Sequence, residues 1–453
     1  MPEVSIAATL PRPAERTVSD GRRLIEAARR PVSGASLGVV RVALGVVAVL
    51  VPLRTLVYGW ADSLYASPSH RFTYLGLGWV PQPGPVGIRF LLLAVAAAGT
   101  GLMVGRHVRR WAAVLVVSFG WVEAIDATTY LNHYWFVTLL AALALVAPLS
   151  GRRPVAAGWV WLFRFQVAVV YAFAGIAKLQ PDWLFEALPL RLWLPARADF
   201  PVVGHLLTVP FTAHVLSVAG AAFDCLVVPG LLWRRTRPFA WTALVAFHVS
   251  TWLLFPIGVF PWLMIAVSTV FWSPDWPDRA RERLNLGSGA VPPGQPGDDV
   301  ERSRVRTRLT IAAAVVWVAV QIALPLRHLA YPGDHRWTAE GYRFGWNVLL
   351  VERSGSVTFI VHDPAADRTW TADLEPIYTP NQIRVMSGEP DLILQAAHTI
   401  ARLEAEAGRK VEVRVDAWLS FNGRPAERWI DPTVDLAAEP TSLDPKHWIL
   451  PRD

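Results

Sequence analysis

The chain has 453 residues, of which 53% are hydrophobic and 17% charged. A soluble domain carries about 25% charged residues, so this composition excludes both a disordered chain and an ordinary cytosolic enzyme. The net charge of +7 sits in short arginine clusters between apolar runs, the pattern of a membrane protein and not of a nucleic-acid binder.

Residues 1–36 hold Arg22, Arg23, Arg29 and Arg30 but no apolar stretch. They read as a cytoplasmic N-terminal segment with no cleavable signal peptide. A helix crossing the hydrocarbon core needs about 20 mostly apolar residues. Nine stretches are candidates: 38–58, 88–105, 111–129, 134–150, 157–177, 213–233, 238–255, 257–272 and 309–327. The expected fold is therefore mainly α, a polytopic membrane bundle over 37–272 plus a last crossing at 309–327. Only Pro256 separates the seventh stretch from the eighth, so these two form either a tight hairpin or one broken element. With nine crossings, the clusters Arg22–Arg30, Arg106–Arg110, Arg152–Arg153, Arg234–Arg237 and Arg279–Arg308 all fall on one side. That side is expected to be the cytoplasm, which puts the C-terminal region outside the cell membrane. Residues 273–308, rich in Pro, Gly and Arg, read as a flexible cytoplasmic loop.

The pattern changes over 328–453, which reads as a small extracytoplasmic α+β domain. Residues 356–362 and 368–373 are predicted to pair as strands, and 389–408 shows helical spacing up to Gly408. Residues 410–421 alternate, and Asn422-Gly423 supplies a type I′ turn into a return strand at 424–430. A unit of this size outside the membrane suits a lid or a docking surface.

Ionisable and polar groups at membrane depth are costly and are functional candidates. Here they are Arg41, Arg54, Glu123, Asp126, Asn132, His133, Arg164, Lys178, Asp224 and His248. Lys178 stands out. The chain has 40 Arg and three Lys, and Lys178 is the only lysine in the first 409 residues. A lysine at a span end also snorkels to the interface, but arginine would serve for that. Arginine stays protonated at working pH, whereas a desolvated lysine offers a neutral amine that acts as a base. Asn132-His133 is either interfacial or a pair that positions an oxygen in a cavity. His248, in mid-span, is either satisfied by a neighbouring carbonyl or part of a site. The chain has one cysteine, Cys225, and no HExxH motif or Cys/His ligand spacing, so no metal is expected. P-loop, GxGxxG and GxSxG patterns are also lacking, and no nucleic-acid partner is expected.

Three stretches, YAFAGIAKLQPDWL, YLNHYWF and FHVSTWLLFPIGVFPW, resemble the HTTM membrane core of the vitamin K-dependent γ-glutamyl carboxylase family. Three more, GYRFGWNVLLVERSG, YTPNQIRVMSGEPDLILQAAHTIA and VDAWLSFNGRPAERWIDPTVDL, resemble its lumenal region. The resemblance covers roughly 36–272 and 338–438. Its most specific patterns are AG-x-x-KL-x-x-DW and W-x-S-x-N-x-R-x-x-x-R-x-x-DP-x-VD. The lone cysteine and the arginine preference fit a bacterial-type homologue.

The resemblance implies an enzyme of the carboxy-lyase class with epoxidase activity. It would couple oxygenation of reduced vitamin K, or a menaquinol, to its epoxide with removal of a glutamate γ-proton and addition of CO2. O2 and CO2 are then co-substrates. The bilayer, a quinone and a secreted Glu-containing peptide are the expected partners. By the same resemblance Lys178 takes the place of the family's basic lysine, with Asn132 and His133 near the quinone head. His248, Arg164 and Tyr171 are expected at the cofactor, and Trp346, Tyr342 and Arg384 at the substrate. The sequence departs from the animal enzymes at Val351, where they carry His, and Cys225 has no intrachain disulfide partner. Two alternatives stay open: a quinol epoxidase or oxygenase that does not carboxylate glutamate, and a non-enzymatic membrane protein that binds or transports a lipid or quinone.

Overall fold

The computed structural model describes residues 23–151, 153–286 and 300–452. Arg22 and Arg152 of the predicted basic clusters, and residues 287–299 of the predicted loop, lie outside the described residues.

The N-terminal part is a helical bundle of α1 (Ala35–Val57), α2 (Gly84–Val104), α3 (Val108–Ile125), α4 (Asn132–Val146), α5 (Ala157–Lys178), α6 (Pro210–Leu232), α7 (Arg237–Leu254) and α8 (Phe260–Ser268). A two-stranded ribbon, β1 (Pro31–Val32) with β2 (Val155–Ala156), joins the starts of α1 and α5. Lipid offers no hydrophobic drive between helices, so close backbone approach at small residues has to hold them. α1 and α2 cross at Gly45 and Gly99, where a Cβ on either residue would lie 2.6 Å from the other's carbonyl oxygen. α9 (Val300–Leu326) attaches to α5 through polar groups instead. Trp317 donates to Gln166 at 2.8 Å, and Gln166 donates to Gln321 at 3.2 Å.

Each of the nine apolar stretches falls on a helix, though not every one of those helices has the length and composition of a full crossing. Among the described residues, five helices are long and apolar enough to cross a membrane: α1, α2, α5, α6 and the stretch Arg308–Ala330. α3 carries Arg109, Arg110 and Glu123, and α7 carries Arg237 and His248. α4 has 15 residues, a length of about 22 Å at 1.5 Å per residue against a hydrocarbon core of about 30 Å. It ends where Ala147 turns into extended backbone before Pro148. The Pro256 ambiguity resolves as two helices. A turn over 255–259 separates α7 from α8, which has nine residues and ends in a 3-10 turn at Thr269–Phe271. Hydropathy alone runs through such turns; the backbone does not. Within the predicted flexible loop, Trp276–Arg283 is also helical, opened by a proline in its first turn and closed by Arg281 and Arg283 in its last.

The C-terminal part is a four-stranded antiparallel sheet, β3 (Arg353–Asp363), β4 (Arg368–Thr371), β5 (Glu412–Phe421) and β6 (Glu427–Arg428), in the order β4-β3-β5-β6. The predicted strand pair and the return strand are present. Asn422 (φ 52°) and Gly423 (φ 71°) make the left-handed turn between β5 and β6. α10 (Pro380–Met386) and α11 (Pro390–Glu406) complete the unit. In β5 the alternate residues Val413, Val415, Ala417, Leu419 and Phe421 are buried. They meet Leu392, Ile393, Ala396, Ala397 and Ile400, the i, i+1, i+4, i+5, i+8 stripe of α11, in one core.

This unit sits on the bundle through specific polar contacts. Gln395 exchanges two hydrogen bonds with the Thr73 backbone, and Gln382 donates to Asp126 at 2.7 Å. At the other end, Asp182 accepts from Arg424 at 2.8 and 3.0 Å and from Asn422 at 2.8 Å.

Candidate active site

A cavity of about 420 Å³ lies between α5, α6, α7 and α8. Its walls follow directly from helical spacing. α5 contributes Val170, Tyr171, Ala174 and Lys178, and α6 contributes Leu216, Ala219, Gly220, Phe223 and Asp224. α7 contributes Ala243, Ala246, Phe247, Ser250, Thr251 and Leu254 together with His248. Apart from His248, each set recurs at three or four residues and so forms one stripe.

The polar end is built on a buried ion pair. Lys178 Nζ lies 2.9 Å from Asp224 Oδ2, with both side chains 6% exposed. Nζ also donates to the carbonyls of Ala174 at 3.2 Å and Val348 at 3.3 Å, and sits 5.2 Å from the Trp183 ring centre. Lys178 therefore does not snorkel. Gly175 makes the pair possible, because a Cβ there would lie 2.9 Å from Cys225 N and 3.0 Å from Asp224 C. That contact is to backbone and cannot flex away. Gly175→Ala is expected to push α5 from α6 and cost about 1–3 kcal/mol, read as a drop in thermal stability in detergent. An unchanged melting temperature would show that the close approach is not needed.

Tyr171, two turns before Lys178, puts its hydroxyl 2.7 Å from His248 Nε2. The two residues predicted at the cofactor thus meet each other, on the wall they share with Lys178. Arg164 does not join them. It lies fourteen residues before Lys178 on α5, about 21 Å along the helix. There it donates to the carbonyls of Val270 at 2.7 Å and Trp272 at 3.0 Å, closing the turn after α8. Arg164 is therefore not part of the lining of the Lys178 cavity.

Asn132 and His133 sit beside the cavity and not in its lining. The His133 ring lies 5.7 Å from that of Phe260, tilted by 35°, and Phe260 forms part of the wall. Asn132 accepts from the Tyr130 hydroxyl at 2.8 Å and donates to the Asn347 carbonyl at 3.3 Å. Asn347 and Val348 are consecutive, so Asn132 and Lys178 grip neighbouring carbonyls of the same segment. That segment, GYRFGWNVLL at 341–350, crosses the end of the cavity, where Val348 and Leu349 form part of its lining. Phe344 (φ 59°), Trp346 (φ 60°) and Leu349 (φ 51°) all adopt left-handed backbone. Such residues persist only where their surroundings hold them. Trp346 is locked in the bundle core, and the Tyr342 carbonyl accepts from Asn347 at 2.8 Å.

The residues predicted for a substrate do not converge on Lys178. Trp346 is core. Tyr342 lies under the Arg353 guanidinium at 4.5 Å, and burial pushes its phenol up to about 12. Arg384 lines a separate cleft with Ser356, Glu375 and Ser387 and donates to Asn381 at 2.9 Å. That cleft shares no lining residue with the Lys178 cavity. Helix α10 carries Arg384 to a cleft shared with Gly355, Ser356 and Val357 of β3. Sequence alone marks Asp224 as an unusual polar residue without giving it a role, and it does not reveal the clasp of Asp182 by Asn422 and Arg424. Both involve partners dozens to hundreds of residues apart, and the one local signal was an acid in an otherwise acid-poor span.

Residues 29–276 match the HTTM domain, and residues 306–453 match the vitamin K-dependent gamma-carboxylase lumenal domain. No solved structure matches the chain at a significant level. The motifs AG-x-x-KL-x-x-DW and W-x-S-x-N-x-R, one in each matched range, are clasped together here by Asp182, Asn422 and Arg424. With the HTTM match covering more than half of its length, and the lumenal domain following in order, the chain belongs to the vitamin K-dependent gamma-carboxylase family of membrane proteins.

Proposed function

We propose that this protein oxygenates a reduced vitamin K or menaquinol to its epoxide and couples that reaction to carboxylation of glutamate in an extracytoplasmic peptide, with O2 and CO2 as co-substrates. The observation that carries this reading is the buried Lys178–Asp224 pair at the polar end of an otherwise apolar cavity. The donor set fits a quinol: an apolar slot for a flat ring, with hydrogen-bonding groups on the walls near one end. When bound, the quinol supplies the reducing chemistry toward O2.

The residues of the chain handle the proton. Lys178 Nζ and Asp224 Oδ2 share one across 2.9 Å. With that proton on Asp224, Nζ holds a lone pair and accepts the proton of a hydroxyl set against it. Tyr171 and His248 face the same slot as a second hydrogen-bonding pair. Val348, Leu349 and Trp183 line the polar end, where Lys178 and Asp224 are each 5% exposed, and such burial strengthens each of these interactions. In this reading Asn132 acts on the strap, holding the Asn347 carbonyl beside Lys178, and His133 buttresses Phe260. In the same reading the N-terminus is cytoplasmic and the sheet domain lies outside the cell membrane, an orientation that the arginine clusters support.

Membranes containing the protein are supplied with reduced vitamin K or a menaquinol, O2, labelled CO2 and a Glu-rich peptide. Epoxide together with labelled peptide is the expected result. Epoxide without label reduces the function to quinol oxygenation. Absence of both refutes the enzymatic reading.

A further inference from the structure

The cavity wall is open on one side. The exposed residues of its lining are Leu216 and Ala219 on α6 and Ala243, Ala246 and Ser250 on α7. The lining residues from α5, α8, Trp183 and the strap are buried or half-buried. α6 and α7 run antiparallel and touch near their connecting turn, where a Cβ on Gly230 would lie 2.9 Å from Ala240 Cβ. Phe223 and Phe247 then stack at 4.0 Å. One turn further along from these rings, the lining continues with Ala219 on α6 and Ser250 and Thr251 on α7. Apart from Leu216, the exposed lining residues of the two helices are small: Ala219, Ala243, Ala246 and Ser250. The surface around this opening is apolar and outward-facing, with Val215, Val218, Leu226 and Leu253 exposed. On a membrane helix, that surface meets acyl chains. The opening lies six to nine residues into α6, about 9–14 Å from its start, on the half of the bundle that carries the sheet domain.

We propose that the gap between α6 and α7 is a lateral portal through which an isoprenoid-tailed quinol enters from the bilayer, its head reaching Lys178 and Asp224 and its tail leaving past Ala219, Ala246 and Ser250. This rests on the quinol reading of the cavity. A cavity of about 420 Å³ is at the small end for a drug-sized ligand. A long tail has to leave it, and the apolar exit shown by the lining leads to lipid. The small side chains on α6 and α7 then set which tails pass.

The test has a binding arm and a kinetic arm. Cys225 is the only cysteine, so Ala246→Cys in a Cys225→Ser background carries a single thiol. In vesicles, that thiol is labelled with a membrane-permeant maleimide. A long-tailed menaquinone is expected to slow labelling at least about tenfold, and a quinone with the same head and one isoprenoid unit to slow it far less. In the kinetic arm, Ala246→Phe or Ala219→Phe lowers the ratio of kcat/KM for the long-tailed quinol to that for the short-tailed quinol by about tenfold. Turnover of the short-tailed quinol shows that the variant is folded. Leu226→Phe, on the same surface but outside the lining, leaves the ratio unchanged.

Epoxide formation by the wild type with no protection and no change in ratio would overturn the portal while leaving the quinol reading intact. Absence of epoxide from either quinol, with no protection, would overturn both. Protection without epoxide would keep the portal as a lipid-ligand entry and remove the enzymatic reading.

Discussion

Lys178→Ala is expected to lower quinol epoxide formation by about 10²–10⁴-fold, the usual contribution of a positioned acid–base group. It also has a structural cost that must be separated from the chemical one. Removing the amine leaves the Asp224 carboxylate buried without its cation, a change that typically costs about 3–5 kcal/mol. A variant that loses activity only because it unfolds would prove nothing about the base. The double variant Lys178→Leu with Asp224→Leu resolves this. Replacing both members of a buried pair by apolar side chains is often neutral or stabilising, so the double variant is expected to regain most of the lost thermal stability with no return of activity. Asp224→Asn keeps a hydrogen-bonding group next to Nζ but cannot take the shared proton. It is expected to lower kcat with little change in the quinol KM. Epoxide formation at the wild-type rate in folded Lys178→Ala would remove the lysine from the mechanism, whatever its place in the cavity.

Arg424→Ala is expected to loosen the sheet domain from the bundle at a cost of about 2–3 kcal/mol, the range for charge-assisted hydrogen bonds with buried partners. Arg424 supplies two of the three hydrogen bonds to Asp182, and Asn422 the third. Burial opposes ionisation of Asp182, but the hydrogen bonds from Arg424 and Asn422 outweigh it and hold the carboxyl below its usual range. The sign of the pH dependence follows. A depressed folded-state pKa stabilises fully above the unfolded value of about 3.9 and is lost as pH falls through the folded value. Protection factors of the β5 and β6 amides in the wild type, taken against the intrinsic exchange rate at each pH, should therefore fall below about pH 4. In Arg424→Ala exchange should already be faster at pH 7, with a flatter acid limb. The adjoining Arg424–Glu186 contact, at 2.9 Å, is half open to solvent on the Glu186 side, so Glu186→Gln is expected to change stability by less than about 0.5 kcal/mol. If Arg424→Ala and Glu186→Gln have equal effects, the clasp is a surface ion pair and not what joins the two parts.

Taken alone, the sequence determined the class of molecule. Nine apolar stretches proved helical, the alternation of 410–421 proved to be β5, and the Asn422-Gly423 pair made its turn. Each of these is a local property, set by side-chain period or by a left-handed turn that few residues tolerate. Lys178 was legible for a compositional reason: an arginine-rich chain used a lysine once in 409 residues. The tertiary structure decided what that lysine faces. Gly175 lets α5 approach α6 until Asp224, 46 residues away, becomes its counter-ion. The strap at 341–350 then brings a carbonyl from 170 residues downstream onto the same Nζ. The number of helices able to cross was likewise a question of where turns interrupt apolar runs, as at Phe255–Val259, and hydropathy does not register a turn made of apolar residues. Arg164 and Arg384 carry the right chemistry for a site, and the fold sets both apart from the Lys178 cavity. Charge is written in the sequence, whereas convergence depends on helix length, crossing points and the path of one strained segment.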